Sequence, residues 1–222
     1  MPHRPRITHV IYDLDGTLLD TEPLYRQVTT TILARYGVPL DPAVRAQMIG
    51  RPTSVASRIL IEATGIPLTP EEFAHEREEA LAILFRDVLP TRGARALTAH
   101  LRAHRIPQAI ATSSSARSLA DKRVAHDAWF GEFEAIVTSE DVAHGKPAPD
   151  IFLEAARRIG AAPEACLVFE DAPLGVESAL AAGMSVIALP ETGHETLVTS
   201  AHLVLNHLEA FDPAEWGLPA RR

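Results

Sequence analysis

The sequence predicts an α/β fold in which a parallel sheet is interrupted, just after its first strand, by an inserted block of helices. Three observations predict it. Short apolar, β-branched runs alternate with helical stretches from residue 92 onward, which calls for a parallel sheet covered on both faces by right-handed crossovers. Residues 18–88 carry helical periodicity alone. The polar clusters that interrupt the alternation fall directly after strands, at their carboxyl ends.

Residues 7–12, ITHVIY, read as a strand that ends in the polar loop DLDGT. Residues 21–35 place Leu24, Val28, Ile32 and Leu33 at helical spacing, and 41–47, 53–63 and 71–88 read as three further helices. Gly37, Pro39, Gly50, Pro52, Gly65 and Pro67 punctuate them. The alternation then runs helix 92–105, strand 108–111, helix 116–126, strand 135–138, helix 150–159 and strand 166–169. Helix 174–182 and strand 185–189 follow, with 203–205 a candidate last short strand. Residues 213–222 read as a polar, proline-bearing tail with no assigned element. The expected division is a core of residues 1–17 and 89–222, with 18–88 as a separate helical domain above the sheet.

A chain of 222 residues can bury one α/β core plus a small accessory domain. The formal charge, 21 − 29 = −8, argues against a nucleic-acid polymer as partner. No apolar run reaches the 18 or so residues of a membrane-spanning helix, and MPHRPRITHV has no signal-like apolar stretch. A cytoplasmic monomer is the default expectation. Cys166, the sole cysteine, excludes an intramolecular disulfide and reads as a buried, inert thiol within ACLVF.

Four clusters carry candidate chemistry, and each has a plain alternative. Strand alternation turns Asp13 and Asp15 to one side, while Gly16 lets the backbone leave the strand; the alternative is a solvated Asp-rich turn. Two close carboxylates repel, which a metal ion relieves. Thr112-Ser113-Ser114-Ser115 offers a hydroxyl and backbone N–H groups to a phosphate oxygen; alternatively Ser114 or Ser115 merely caps the next helix. Lys146, held between Gly145 and Pro147, is placed to neutralise a carboxylate and a phosphoryl group, or is a solvated lysine. Nearby His144 reads as a loop residue. Glu170 and Asp171 after the strand CLVF suit a hard cation, or cap the helix that follows. His100 and His104, spaced i, i+4, have no third ligand nearby and read as a solvated helix face rather than a zinc site.

In that order, two carboxylates, a hydroxyl, a lysine and an acidic pair resemble the four motifs of the haloacid dehalogenase superfamily. The resemblance runs through THVIYDLDGTLLDTEPLY, ATSSS, HGKPAPDIF and CLVFEDAPLGVESALAAGM, and continues into LVLNHLEAFDPAEWGLP. Within the superfamily the chain is most similar to the pseudouridine-5'-phosphatase branch. The resemblance implies a Rossmann-like core with an inserted helical cap, and a Mg²⁺-dependent phosphomonoester hydrolase acting on a small phosphorylated metabolite. Asp13 would be the nucleophile, forming an aspartyl-phosphate, and Asp15 the general acid and base. Mg²⁺ would be held by Asp13, the backbone carbonyl of Asp15 and Asp171, with Glu170 assisting directly or through water. Thr112, Ser113 and Lys146 would hold the phosphoryl group. Cap closure would hinge near 17–21 and 87–92.

Pseudouridine 5'-phosphate is the substrate this implies, with a sugar phosphate or glycerol phosphate as the alternative. Glu22, Tyr25, Arg51 and Arg92 are candidate leaving-group contacts. Dehalogenases of the superfamily lack the second acid, so Asp15 argues against that activity. Sugar-phosphate mutases carry a cap histidine where Tyr25 stands, and their cap lysine has no clear counterpart in HEREEALAILF. A non-catalytic ligand-binding module is disfavoured because Asp13, Asp15, Thr112, Lys146 and Asp171 are all present.

Overall fold

A computed structural model of the chain describes residues 6–221. Residues 1–5 and Arg222, assigned from sequence to the core and the tail, lie outside the described residues. Six strands form one sheet: β1 (His9–Tyr12), β2 (Gln108–Ala111), β3 (Ala135–Val137), β4 (Cys166–Glu170), β5 (Ser185–Ala188) and β6 (Leu203–Val204). All pairings are parallel, in the order β3-β2-β1-β4-β5-β6. The fold is thus the α/β class the sequence predicts, with strand ends shifted by a residue or two.

Strand alternation divides the core into two faces. Val10, Tyr12, Ile110, Leu167 and Phe169 point to one, where helix α5 (Ala94–Ala103) and the short α7 (Asp127–Phe130) cover them with Leu97, Leu101, Trp129 and Phe130. Ile11, Ala109, Ala111 and Val168 point to the other, beneath α8 (Asp150–Arg158) and α9 (Pro173–Ala181). Helix α6 (Ala116–Arg123) stops short of the predicted 116–126, and α7 is an element the sequence reading does not contain.

The tail is a correction. Residues Pro213–Trp216 form a 3₁₀ turn whose Trp216, with Phe211 and Leu218, belongs to the first core face. Its apolar anchors outweigh its polar composition. His100 also departs from expectation: its Nε2 lies 2.8 Å from the Pro219 carbonyl oxygen, tying α5 to this segment, so that ring is not simply solvated.

Between β1 and α5 come four helices, α1 (Glu22–Ala34), α2 (Pro42–Met48), α3 (Thr53–Thr64) and α4 (Pro70–Leu84). Asp41 caps α2, and Thr69 with Glu72 forms a capping box on α4, so local sequence starts these helices. They bury a separate apolar cluster of Val28, Ile32, Leu33, Leu60, Phe73, Leu81 and Phe85. The chain enters and leaves this insertion side by side. Leu19 bridges Pro90 antiparallel, Asp20 N–H donates to Leu89 O at 2.8 Å, and Thr91 N–H donates to Leu18 O at 2.9 Å. Among the described residues no helix is long and apolar enough to cross a membrane.

Candidate active site

The strand order reverses direction at β1, whose neighbours are β2 and β4. Open α/β sheets bind ligands outside the carboxyl ends at such a switch point. Asp13 follows β1 there, its N–H donating to Phe169 O at 2.9 Å, and Glu170 ends the adjacent β4. Both are buried. Lys146, also buried, donates to Asp13 Oδ1 at 2.5 Å and to Glu170 Oε1 at 2.7 Å. The second Glu170 oxygen accepts from Ala172 N–H at 2.7 Å. This close fit depends on Gly175, because a Cβ there would lie 1.6 Å from Glu170 Oε1. Gly16 serves likewise: its φ is +79°, and a Cβ would lie 2.3 Å from Asp171 Oδ2.

Asp13, Glu170 and Asp171 each present a carboxylate oxygen within 4.8 Å of the others. Burial pushes the Asp13 carboxyl up to about 7, with Lys146 opposing the rise and Glu170 and Asp15 adding to it. Burial, then the Glu170 and Asp13 charges, pushes Asp171 well above the usual carboxylate range. Burial opposes the charge on Lys146, but Asp13 and Glu170 raise its affinity for a proton above the ordinary value. One lysine among three acids leaves negative charge uncompensated, so this donor set of hard oxygens fits a divalent cation.

Asp15 belongs to a different cluster. Its Oδ2 accepts from Ser114 Oγ and from Lys122 Nζ, each at 2.7 Å, and Tyr25 Oη lies 3.5 Å from Oδ1. Burial would raise the Asp15 carboxyl, but the Lys122 charge and the hydrogen bonds from Lys122 and Ser114 hold it below its ordinary value. Ser114 therefore binds Asp15, whereas Ser115 is the cap of α6 through Ser118 N–H. Thr112 is buried after β2, where its Oγ1 accepts from Ser114 N–H at 3.0 Å; Ser113 is exposed.

A cavity of about 580 Å³ separates this floor from the insertion. Asp13, Asp15, Thr112, Ser113, Lys146, Glu170 and Asp171 line one side, and Glu22, Tyr25 and Arg51 line the other. Arg51 is exposed and its Nε donates to Gln47 O at 2.7 Å. Glu22 pairs with Arg45 at 3.0 Å, and burial pushes its carboxyl up. Arg92 is a correction: it does not line the cavity but pairs with Glu209 at 2.6 Å on the core surface, held by a partner 117 residues away.

Two cations of the site have no role in the sequence reading. Lys122 is fully buried although it sits in the polar run ADKR; the available signal is its i, i+3 spacing from buried Leu119 on α6. Arg77, from the HEREEALAILF stretch that offers no evident cap cation, lies 4.7 Å over the Tyr25 ring and lines the cavity. Its Nε is sealed from water with no hydrogen-bond partner, and no carboxylate lies within 4 Å of it among the described residues. Cys166 is buried, and burial pushes its thiol up to about 12, in keeping with an inert group. His144 is an exposed loop residue 3.0 Å from Asp150.

The strand-end acids and the buried lysine gather at the switch point of a parallel α/β sheet, and the chain belongs to the haloacid dehalogenase-like hydrolases, whose family model matches residues 10–189. It is 43% identical to "(DL)-glycerol-3-phosphatase 1, mitochondrial" of Arabidopsis thaliana, over 98% of this chain and 76% of that one. It is 40% identical to "Probable pseudouridine-5'-phosphatase" of Drosophila melanogaster, over 97% of this chain and 96% of that one. Among solved structures, a haloacid dehalogenase family hydrolase from Deinococcus radiodurans with bound phosphate and sodium superposes with a TM-score of 0.79 at 27% identity. That match covers 98% of this chain and 100% of the other.

Proposed function

We propose that this enzyme hydrolyses phosphomonoesters of small metabolites through an aspartyl-phosphate on Asp13. The observation that carries the reading is the paired arrangement at the cavity floor. Asp13 is held by Lys146 within a triad of acids, and Asp15 is held separately by Lys122 and Ser114. The two carboxylates thus sit in separate clusters, Asp13 beside Lys146 and the other acids and Asp15 beside Lys122 and Ser114, which supports separate roles for them. Asp13 attacks phosphorus; Asp15 protonates the leaving oxygen and then takes the proton of the attacking water. Lys146 and the Thr112 hydroxyl hold phosphoryl oxygens, with Ser113 at the cavity edge.

Mg²⁺ fits the acidic triad: Asp13 and Asp171 would ligate it with the Asp15 backbone carbonyl. Both Glu170 oxygens are already engaged, which favours assistance through water. When bound, the ion supplies positive charge to the phosphoryl oxygens. Residues 18–88 act as the cap over a core of 1–17 and 89–222, which the separate apolar cluster and the paired entry and exit chains support.

The leaving group contacts Tyr25, Arg51 and Arg77. Pseudouridine 5'-phosphate is the substrate suggested by the sequence resemblance and by the Drosophila relative. Glycerol 3-phosphate is the second reading, favoured by the Arabidopsis relative. The test compares kcat/KM for pseudouridine 5'-phosphate, uridine 5'-phosphate, glycerol 3-phosphate and hexose 6-phosphates with Mg²⁺ present. A tenfold advantage of glycerol 3-phosphate or a hexose phosphate over pseudouridine 5'-phosphate rejects the first substrate. Phosphate release from none of them, nor from an aryl phosphate, rejects the reaction class.

A further inference from the structure

Lys122 has 0% exposure and is absent from the cavity wall, so it cannot touch a ligand. A lysine sealed in this way is held by what surrounds it. Its Nζ lies 2.7 Å from the Asp15 carboxylate and 2.7 Å from Ser114 Oγ. Above it the Phe85 ring centroid lies 4.6 Å away and Tyr25 Oη 3.4 Å away. Asp15 and Ser114 come from the sheet side, whereas Tyr25 and Phe85 come from α1 and the end of the insertion. Ser114 reaches the same Asp15 oxygen, so two donors on one rigid unit, the β2 end and α6, fix the direction of a short side chain that otherwise turns freely.

We propose that Lys122 is the positioning residue of Asp15, holding its carboxylate toward the water that cleaves the aspartyl-phosphate. The inference rests on the roles of Asp13 and Asp15 given above. In that step a water O–H bond breaks, its oxygen bonds phosphorus, and the P–O bond to Asp13 breaks with its electron pair returning to Asp13. The proton goes to Asp15. Lys122 neither gives nor takes a proton; it keeps the acceptor oxygen in place. Phe85 and Tyr25, from the insertion, cover Lys122 on its other side.

The test is Lys122→Met, of similar length and without charge, assayed with p-nitrophenyl phosphate and Mg²⁺. This leaving group departs without a proton, so kcat/KM reports attack by Asp13 and kcat reports cleavage of the aspartyl-phosphate. The expected result is a fall in kcat of about 100-fold, the scale of a lost general base, with kcat/KM changed less than about fivefold. KM falls in step, and the phosphorylated enzyme accumulates in acid-quenched samples. A structural role predicts loss of kcat/KM with no accumulation, and that result overturns the proposal. Ser114→Ala, which leaves the lysine buried, should give the same split at about tenfold; its absence there overturns the proposal if Lys122→Met does not fold. Asp15→Asn separates the two levels. If it shows no split, the role of Asp15 fails; if it shows one and both other variants do not, only Lys122 is wrong.

Discussion

Gly175→Ala adds one methyl group to α9 and should disable the floor of the site. The new Cβ would lie 1.6 Å from Glu170 Oε1 and 1.9 Å from its Cδ. Ordinary non-bonded contact needs more than 3 Å, so the carboxylate must retreat by about 1.5 Å. That displacement breaks the bond from Lys146 Nζ and the bond from Ala172 N–H, each 2.7 Å long. Hydrogen bonds to charged groups contribute about 1.5–3 kcal/mol each, so about 3–6 kcal/mol is at stake. Replacing glycine by alanine in a helix returns about 1 kcal/mol. The net expectation is a loss of about 2–5 kcal/mol, or about 4–20 °C in Tm for a chain of this size. Urea and thermal unfolding, followed by far-ultraviolet circular dichroism, measure it. Gly145→Ala is the control, because its Cβ meets nothing within 4 Å; its effect should stay within about 0.5 kcal/mol. A Gly175→Ala protein as stable as the wild type would show that Glu170 is not held as described.

Four further outcomes are expected. Asp13→Asn should abolish phosphate release while leaving the circular dichroism spectrum unchanged, since an amide cannot replace the attacking carboxylate; appreciable residual turnover in the pure variant excludes Asp13 as nucleophile. Chelation should stop the reaction, with Mg²⁺ restoring it and Ca²⁺ not, because Ca²⁺ accepts more ligands at longer distances. With Asp13 raised to about 7, protons compete for the metal site, so calorimetric Mg²⁺ affinity should fall by about tenfold per unit as pH drops below 7; pH-independent affinity contradicts the triad as the site. Asp141, lowered to about 2 by the Arg158 hydrogen bond and then by Thr138 N–H, stabilises the fold above its unfolded value of about 3.9, and that contribution is lost as pH falls toward 2. Asp141→Asn should therefore cost about 0.5–1 kcal/mol at pH 7, discounted for exposure, and progressively less below pH 4 in urea titrations.

The strands were legible because short β-branched runs such as HVIY and CLVF announce themselves, and their ends carry Asp13, Asp15, Thr112 and Glu170, with Lys146 in the loop that leads into α8. What escaped depends on contacts distant in sequence. Lys122 sits among Asp121 and Arg123 and looks like helix surface; only the approach of Phe85 and Asp15 seals it. Arg77 lies in the charged run HEREE, where composition suggests solvent, and it is the Tyr25 ring that gives it a place. Arg92 invited a role at the cavity because its true partner, Glu209, lies far along the chain. The tail misled through its prolines, although Trp216 and Leu218 were available as anchors.

The side-by-side chains at residues 18–20 and 89–91 have a consequence beyond the reaction. Because Leu19 and Pro90 are already bridged, everything between them hangs from a single doorway whose two posts are joined. Lengthening, shortening or exchanging that segment leaves the spacing of the posts unchanged, and closing a longer loop costs only about 0.6 kcal/mol per doubling of length. A module attached in this way can be rewritten residue by residue, or replaced whole, while the sheet beneath keeps its register. The same floor can thereby serve chains that differ entirely in what stands above it.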